Sequence, residues 1–246
     1  MNWKLAFIVA LIAMPGALAI SWLALPLLVD LEDIDISLQV LQVATVFQSA
    51  VLILLASGIG TLLSVKVGLD APLFSALVKR ARPSAMVSAI TPQLLPGVVG
   101  GLLGAVIVIA FYEFSPRELS VANQASSIPL LARILYGGIT EEVLIRWGLM
   151  TTFIWVAWRA LQRGKGYPSS ALVWLCIIIS ALFFGASHVP VIVAGIGSVS
   201  LSVIAYIVFS NSLFGMIAGY LFWRYGLESA IIAHILAHLV AYFIIG

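Results

Sequence analysis

Long runs of apolar residues alternate with short polar segments along the whole chain. A helix needs about 20 apolar residues to cross the hydrocarbon core of a bilayer, and the runs are of about this length. Within each run the apolar residues are continuous and do not alternate with polar ones, which favours helices over the strands of a membrane barrel. The pattern predicts an all-α fold, a polytopic membrane bundle of about seven transmembrane helices: Leu5–Val29, Leu38–Leu63, Ala85–Phe111, Pro129–Trp158, Ser169–His188, Leu201–Trp223 and Leu227 to the end.

The first run has features of two kinds of segment. Met1–Ala19 is similar to a signal peptide, because Lys4 precedes an apolar stretch that ends in small residues. The apolar run continues without a charge through Ile20–Val29, however, and the apolar part of a signal peptide is only about 7–15 residues long. We therefore interpret the run as the first transmembrane helix.

Two connections between the predicted spans have patterns of their own. Lys66–Pro83 combines apolar residues with Lys79, Arg80 and Arg82, which predicts a short basic amphipathic segment lying flat at the membrane interface. Val191–Ser200 is apolar but rich in Gly and Ser, and we interpret it as an interfacial or re-entrant connection.

Close helix packing is predicted in the sixth run. It contains Gly215-Met216-Ile217-Ala218-Gly219, in which two glycines four residues apart lie on one helix face. Such a face lets a neighbouring backbone approach closely, so we expect a tight contact with another helix there.

Composition agrees with a membrane protein. Of the 246 residues, 63% are hydrophobic and 9% are charged, whereas soluble domains contain about 25% charged residues. The predicted partner is the lipid bilayer, and the net charge of +2 is too small to indicate nucleic acid binding. Most Lys and Arg residues lie on the same side of the membrane as Lys4, while the opposite loops, such as Asp30–Asp35, are mostly acidic or uncharged. The positive-inside rule then predicts a multi-pass protein of the cell membrane with a cytoplasmic N-terminus.

The fourth apolar run contains three ionisable side chains, Glu141, Glu142 and Arg146. An ionised side chain at the bilayer centre costs on the order of 3 kcal/mol on insertion scales. Such groups usually face the protein interior and mark a functional site. Because the rest of the membrane region is almost free of charge, this stretch is the predicted centre of function.

The histidines of the chain are the polar groups that can join this stretch inside the bilayer. His188 ends the fifth run, and His234 and His238 share one face of the seventh because they are four residues apart. With a rise of about 1.5 Å per residue, Glu141 and His234 both lie near mid-membrane, and His188 lies somewhat nearer the outer face. We therefore expect these groups to converge.

Spacing separates the roles of the two acids. Glu142 and Arg146 are four residues apart with the acid first, the favourable orientation for an ion pair within a helix. Glu141 is turned by about 100° from Glu142 around an α-helix and has no cationic partner in its own helix. A buried carboxylate without a counter-charge suits a general base that takes a proton from water. A nearby histidine can share that proton or stabilise a developing oxyanion.

The order of these residues resembles the motifs of the CPBP family, which comprises the CAAX prenyl proteases of type 2 and bacteriocin-processing, Abi-type membrane proteins. The motifs are Glu-Glu-x-x-x-Arg, Phe-x-x-x-His and His-x-x-x-Asx. They are formed here by Glu141, Glu142, Arg146, Phe184, His188 and His234. The chain departs from the family at His238, where Asn is usual. The resemblance covers residues 128–246, so we expect a catalytic core there and N-terminal helices without motifs in residues 1–112, within a single transmembrane domain of residues 1–246.

The resemblance implies an intramembrane endopeptidase that hydrolyses a peptide bond of a membrane-associated protein or peptide, prenylated or not. In the glutamate-protease description of the family, Glu141 and His188 activate water and Glu142 with Arg146 is the orienting pair. The third motif supplies the oxyanion donors, His234 and the residue at position 238.

Two further expectations depend on the resemblance. Phe184 walls the site and contacts substrate. No cofactor is required in the glutamate-protease description, but the family has also been described as metalloproteases. Under that alternative Glu141, His188, His234 and His238 form a zinc set with an open water position, although the chain has no His-Glu-x-x-His motif.

Two other functions remain alternatives at this stage. Gly185-Ala186-Ser187-His188 is similar to the Gly-x-Ser-Gly of rhomboid serine proteases, with Ser187 as the nucleophile and His234 or His238 as its base. The second alternative is a non-enzymatic or proton-coupled membrane protein, such as a transporter or an immunity protein, because buried Glu and His side chains also form proton relays.

Overall fold

The computed structural model describes residues 2–28, 36–119, 128–196 and 198–245. Every regular element within these residues is a helix. In chain order the elements are α1 (Trp3–Leu28), α2 (Leu38–Val67), α3 (Pro72–Val78), α4 (Pro83–Glu113), α5 (Leu130–Ala132, Arg133–Met150 and Thr151–Leu161, without a break), α6 (Ser170–Ser187), α7 (Val189–Ile196), α8 (Leu201–Tyr225) and α9 (Leu227–Ile245).

Six helical segments of the described chain are long and apolar enough to cross a membrane. They are Trp3–Leu28, Leu38–Val67, Pro83–Glu113, Ser170–Val193, Leu201–Tyr225 and Leu227–Ile245. The helix α5 is a further long segment, which carries the charged motif. The predicted helical bundle with about seven membrane-crossing helices is therefore confirmed, and the first apolar run forms a continuous helix. The predicted acidic loop Asp30–Asp35 lies outside the described residues.

Local sequence accounts for where several of these helices begin and end. The side chains of Asn2, Ser37 and Ser169 accept backbone N–H groups at the starts of α1, α2 and α6, each at 3.4 Å, which is how polar N-caps satisfy free donors. The helix α2 ends at Gly68, whose φ of +73° is left-handed and therefore favours glycine.

The two predicted connections are partly helical. In the basic segment Lys66–Pro83 the helix is α3, which buries Phe74. The carboxylate of Glu228, at the start of α9, accepts the Phe74 N–H at 2.9 Å and so fixes α3 against the membrane helices. The segment predicted as an interfacial or re-entrant connection, Val191–Ser200, contains most of α7, which follows α6 after a turn at His188.

The winding of α5 differs from that of an α-helix. From Arg133 to Met150 the backbone hydrogen bonds connect residues five apart, which is π-helical geometry. The hydroxyl of Thr140 donates to the Ala13 carbonyl of α1 at 2.6 Å and lies 3.2 Å from the Leu135 carbonyl, five residues back. The hydroxyl of Thr151 donates to the Arg146 carbonyl at 3.1 Å, again five residues back. Longer π-helical stretches are rare and are frequently found at functional sites. In this register, side chains five residues apart lie one turn apart on the same face.

The small residues of α8 form the close contact that the sequence predicted. A Cβ atom added to Gly215 would lie 3.0 Å from Ala181, and one added to Gly219 would lie 3.0 Å from Ile177. Both neighbours belong to α6. The absence of side chains at these two glycines therefore lets α6 and α8 pack backbone to backbone.

The helix α9 packs against α4, α5 and α8 in the interior of the bundle. On one side Gly101 and Gly104 of α4 face Leu236 and Ala237. On the other side, a Cβ atom at Gly137 of α5 would lie 2.5 Å from the ring of His238. The glycines thus bring α9 close enough to α5 for their polar side chains to meet.

Candidate active site

Glu142, Arg146 and His234 form the buried centre of the site. Their exposed fractions are 0%, 1% and 4%. Glu142 Oε2 lies 3.2 Å from Arg146 Nε, and Glu142 Oε1 lies 2.7 Å from His234 Nδ1. The arginine N–H is not aimed at the carboxylate well enough for a hydrogen bond, so the first contact is an ion pair and the second is a hydrogen bond. Each oxygen of Glu142 thus has its own cationic or polar partner.

The hydrogen bond to Glu142 determines which nitrogen of His234 carries a proton. An ionised carboxylate only accepts hydrogen bonds, so Nδ1 of His234 must be the donor. Glu142 is ionised because it is paired with Arg146, whose guanidinium is always charged. In the neutral imidazole Nε2 then has a lone pair and no proton. Nε2 makes no hydrogen bond within the described residues. It is also not one of the fully buried polar atoms that lack a hydrogen-bond partner.

Phe184 is the packing centre around which the motif side chains are arranged. The Arg146 guanidinium lies over its ring at 4.6 Å, a cation–π geometry. His188 and His234 contact the same ring edge-on, with centroid distances of 4.8 and 5.9 Å. The Phe184 ring is only 2% exposed and also lies near the ring of Phe214, with centroids 6.5 Å apart.

His188 ends α6 with its ring half-buried. Its Nδ1 lies 2.8 Å from the carbonyl of Phe184, one helical turn back. A carbonyl oxygen can only accept, so Nδ1 carries the proton and the lone pair of the neutral ring is on Nε2. The hydroxyl of Ser187 donates to the same carbonyl at 2.7 Å. It makes no hydrogen bond to a histidine within the described residues, which a serine nucleophile requires.

His238 continues the polar face of α9 beyond His234. The two imidazole rings are stacked, with centroids 4.8 Å apart and an angle of 23° between their planes. The edge of the His238 ring fits against the bare backbone of Gly137. One turn further along, the Tyr242 ring lies 5.8 Å from the guanidinium of Arg133, so the polar contact between α5 and α9 extends from Arg146 to Arg133.

Glu141 is half-buried and lies outside the Glu142 pair. No cation lies within ion-pair distance of it among the residues described. The π-helical register nevertheless places Tyr136 one turn before it and Arg146 one turn after it, and Glu141 interacts electrostatically with both side chains. The periodicity of an α-helix does not predict these two neighbours, because it places residues three and four apart on one face.

The residues of the zinc alternative are not grouped as metal ligands. Within the described ranges no three His, Cys, Asp or Glu side chains converge as metal ligands. Nδ1 of His234 is occupied by Glu142, and Nδ1 of His188 by a backbone carbonyl. Each ring keeps the lone pair of Nε2 outside these contacts, and histidines that bind metals commonly donate their other N–H in this way, so it is the missing convergence of the side chains that disfavours a zinc site.

An apolar groove of about 460 Å³ lies between α4 and α8, away from this cluster. Leu103, Met216 and Trp174 are among the residues that line it, and no predicted site residue does. The predicted site residues lie instead between α5, α6 and α9. The candidate active site is therefore the cluster of ionisable groups.

Several side chains near the motif residues are not part of the site predicted from the sequence. Phe214 packs on the His234 ring at 4.6 Å, and Gly137 makes room for His238. Tyr242 could have been found, because it lies four residues after His238 on the same helix face. Tyr136 could not, because five residues separate it from Glu141 and this spacing brings side chains together only in a π-helix.

The fold and the cluster define a class, that of multi-pass membrane proteins with an ionisable centre between their helices. Residues 123–240 match the family model of the type II CAAX prenyl endopeptidases, Rce1-like. The matched region includes all the predicted site residues. It confirms the resemblance to the CPBP intramembrane proteases and supports an intramembrane endopeptidase. No curated protein and no solved structure shows a significant match to the chain.

Proposed function

We propose that the protein hydrolyses a peptide bond of a membrane-associated protein or peptide, with a water molecule activated by Glu141 and His188. The observation that carries this proposal is the difference between the two adjacent acids. Glu142 is fully buried, and both of its oxygens are engaged by Arg146 and His234. Glu141 is half-buried and keeps its carboxylate for another partner.

The pairing of Glu142 supports a positioning role for that acid. Removing one partner of a buried ion pair leaves an uncompensated charge, which costs about 3–5 kcal/mol. The pair therefore resists rearrangement. It also connects α5 to α9 through His234 and to α6 through the stack of Arg146 on Phe184. Glu142 and Arg146 thus contact both of the other motif helices, which supports a positioning role.

The orientation of His188 supports its role beside Glu141. Because its Nδ1–H is held by the Phe184 carbonyl, the ring cannot turn freely and Nε2 is available to accept a hydrogen bond from water. In the proposed step Glu141 accepts one proton of that water while the oxygen forms a bond to the carbonyl carbon of the substrate. The C–N bond then breaks, and the proton held by Glu141 passes to the leaving amine nitrogen.

The family match and the charges support the proposed substrate and orientation. The type II CAAX prenyl endopeptidase match supports a prenylated CAAX protein as the first substrate to test. The basic residues at the N-terminal side of the bundle support a cytoplasmic N-terminus. Because the side chains of the zinc alternative do not converge as ligands within the described ranges, we propose a reaction that needs no metal.

The test is cleavage of a prenylated CAAX peptide and of the same peptide without the prenyl group, with purified protein in lipid nanodiscs. Glu141→Gln keeps the shape of the side chain but removes the base, and we expect kcat to fall by about 10²–10⁴-fold. Glu113→Gln is the matched control, because Glu113 is exposed at the end of α4, and it should leave kcat unchanged. Full activity of Glu141→Gln would refute the proposed role of this acid, and loss of activity in chelator with recovery in zinc would refute metal independence.

A further inference from the structure

The oxyanion formed during peptide hydrolysis needs hydrogen-bond donors, and one expected donor is already engaged. This argument rests on the proposed function. The only N–H of neutral His234 points at Glu142, so that ring has no proton left for the substrate. A protonated His234 would put a second cation on a carboxylate that already balances the charge of Arg146. Of the two expected donors, only His238 can then present an N–H to the substrate, and a second donor has to be sought among the described residues near Glu141.

Tyr136 is a candidate for such a donor because of its position on α5. The π-helical register places it one turn before Glu141 on the same face of α5. Its ring is half-buried. Its hydroxyl makes no hydrogen bond to any described residue, including Glu141. The hydroxyl oxygen is also not one of the fully buried polar atoms that lack a partner. The phenol O–H is therefore free to contact a molecule held between it and the carboxylate.

We propose that Tyr136 is a further catalytic residue, whose hydroxyl donates a hydrogen bond to the oxyanion of the tetrahedral intermediate. In this step the water oxygen bonds to the carbonyl carbon, its proton goes to Glu141, and the carbonyl π electrons move onto the carbonyl oxygen. The Tyr136 O–H stabilises that negative charge without transferring its proton. When the C–N bond breaks, the electrons return to the carbonyl and the leaving nitrogen takes the proton from Glu141.

The test is Tyr136→Phe, which removes only the hydroxyl. Loss of one oxyanion donor lowers kcat by about 10²–10³-fold. The donor acts only in the transition state, so kcat and kcat/KM should fall together while KM stays unchanged. Tyr206→Phe is the matched control, because the Tyr206 hydroxyl donates to the Phe111 carbonyl at 2.6 Å and contacts no motif residue. It should leave kcat at the parent value.

The outcomes separate this inference from the proposed function. A loss of kcat in Tyr136→Phe, with the thermal unfolding temperature of the parent, supports it. Parent-like kcat, a change in KM alone, or a lowered unfolding temperature that accounts for the lost activity overturns it. Tyr242→Phe tests the other phenol near the cluster, and an equal loss there would also overturn the assignment. Glu141→Gln is measured in parallel: if only that variant is inactive, the proposed function stands and the role of Tyr136 does not.

Discussion

Gly137→Ala is expected to reduce activity strongly while it changes stability little. The added Cβ atom would lie 2.5 Å from Nε2 of His238, and ordinary contacts begin at 3.4 Å, so the ring must move by about 0.9 Å. Overpacking of this kind costs about 1–3 kcal/mol. Replacing a helical glycine by alanine stabilises the helix by about 1 kcal/mol. The expected net loss of unfolding free energy is therefore about 0–2 kcal/mol.

The effect on catalysis is larger because the displaced ring belongs to the site. His238 is stacked on His234, which is hydrogen-bonded to Glu142. A displacement near 1 Å in a catalytic arrangement can cost about 100-fold in rate. We therefore expect kcat/KM for the peptide substrate to fall by about 100-fold, measured together with thermal unfolding of the same nanodisc preparation.

Gly58→Ala is the matched control for this prediction. Gly58 lies in the middle of α2, and a Cβ atom there would meet no atom within 4 Å. This variant should keep its activity and gain up to about 1 kcal/mol of stability. If Gly137→Ala were as active as Gly58→Ala, the position of the His238 ring would not matter for catalysis, and the reasoning above would be refuted.

Three further variants test other contacts. Glu142→Ala should destabilise the protein by about 3–5 kcal/mol, because it leaves Arg146 buried without its partner; Glu142→Leu combined with Arg146→Met should recover much of the unfolding temperature without restoring cleavage. His238→Asn should keep substantial cleavage activity, since Asn also donates a hydrogen bond, whereas His238→Leu should lose it; equal rates for the two variants would contradict a donor at this position. Trp147→Phe should lower the unfolding free energy by about 1–3 kcal/mol with little change in kcat, because the indole N–H donates to α2 and the ring is fully buried; an unchanged unfolding temperature would show that these bonds add nothing.

The family resemblance and the structure agree on which residues matter but not on every contact. The i,i+4 pairing of Glu142 with Arg146 was predicted from spacing and is observed. His234 was expected near Glu141, and its hydrogen bond is instead to Glu142. This difference changes the chemistry, because it uses the N–H that the resemblance assigned to the oxyanion.

The membrane-crossing helices could be predicted from the sequence to within a few residues at most ends. Apolar runs are local, and a lipid environment requires every backbone group in such a run to be satisfied within its own helix. The same local argument identified the charged motif, because an ionisable side chain in an apolar run is costly wherever the helix packs. The partner of Glu142 within its own helix also followed from spacing alone.

The contacts between helices were decided only by the tertiary structure. Which nitrogen of His234 meets which carboxylate depends on how closely α9 approaches α5, and Gly137 allows that approach through the absence of a side chain. The π-helical winding of α5 brings Tyr136 and Glu141 onto one face, and a period of 3.6 residues cannot reveal this. Hydrophobic patterning indicates which face of a helix contacts lipid. The distances between ionisable groups, in contrast, are set by the packing of residues far apart in the chain.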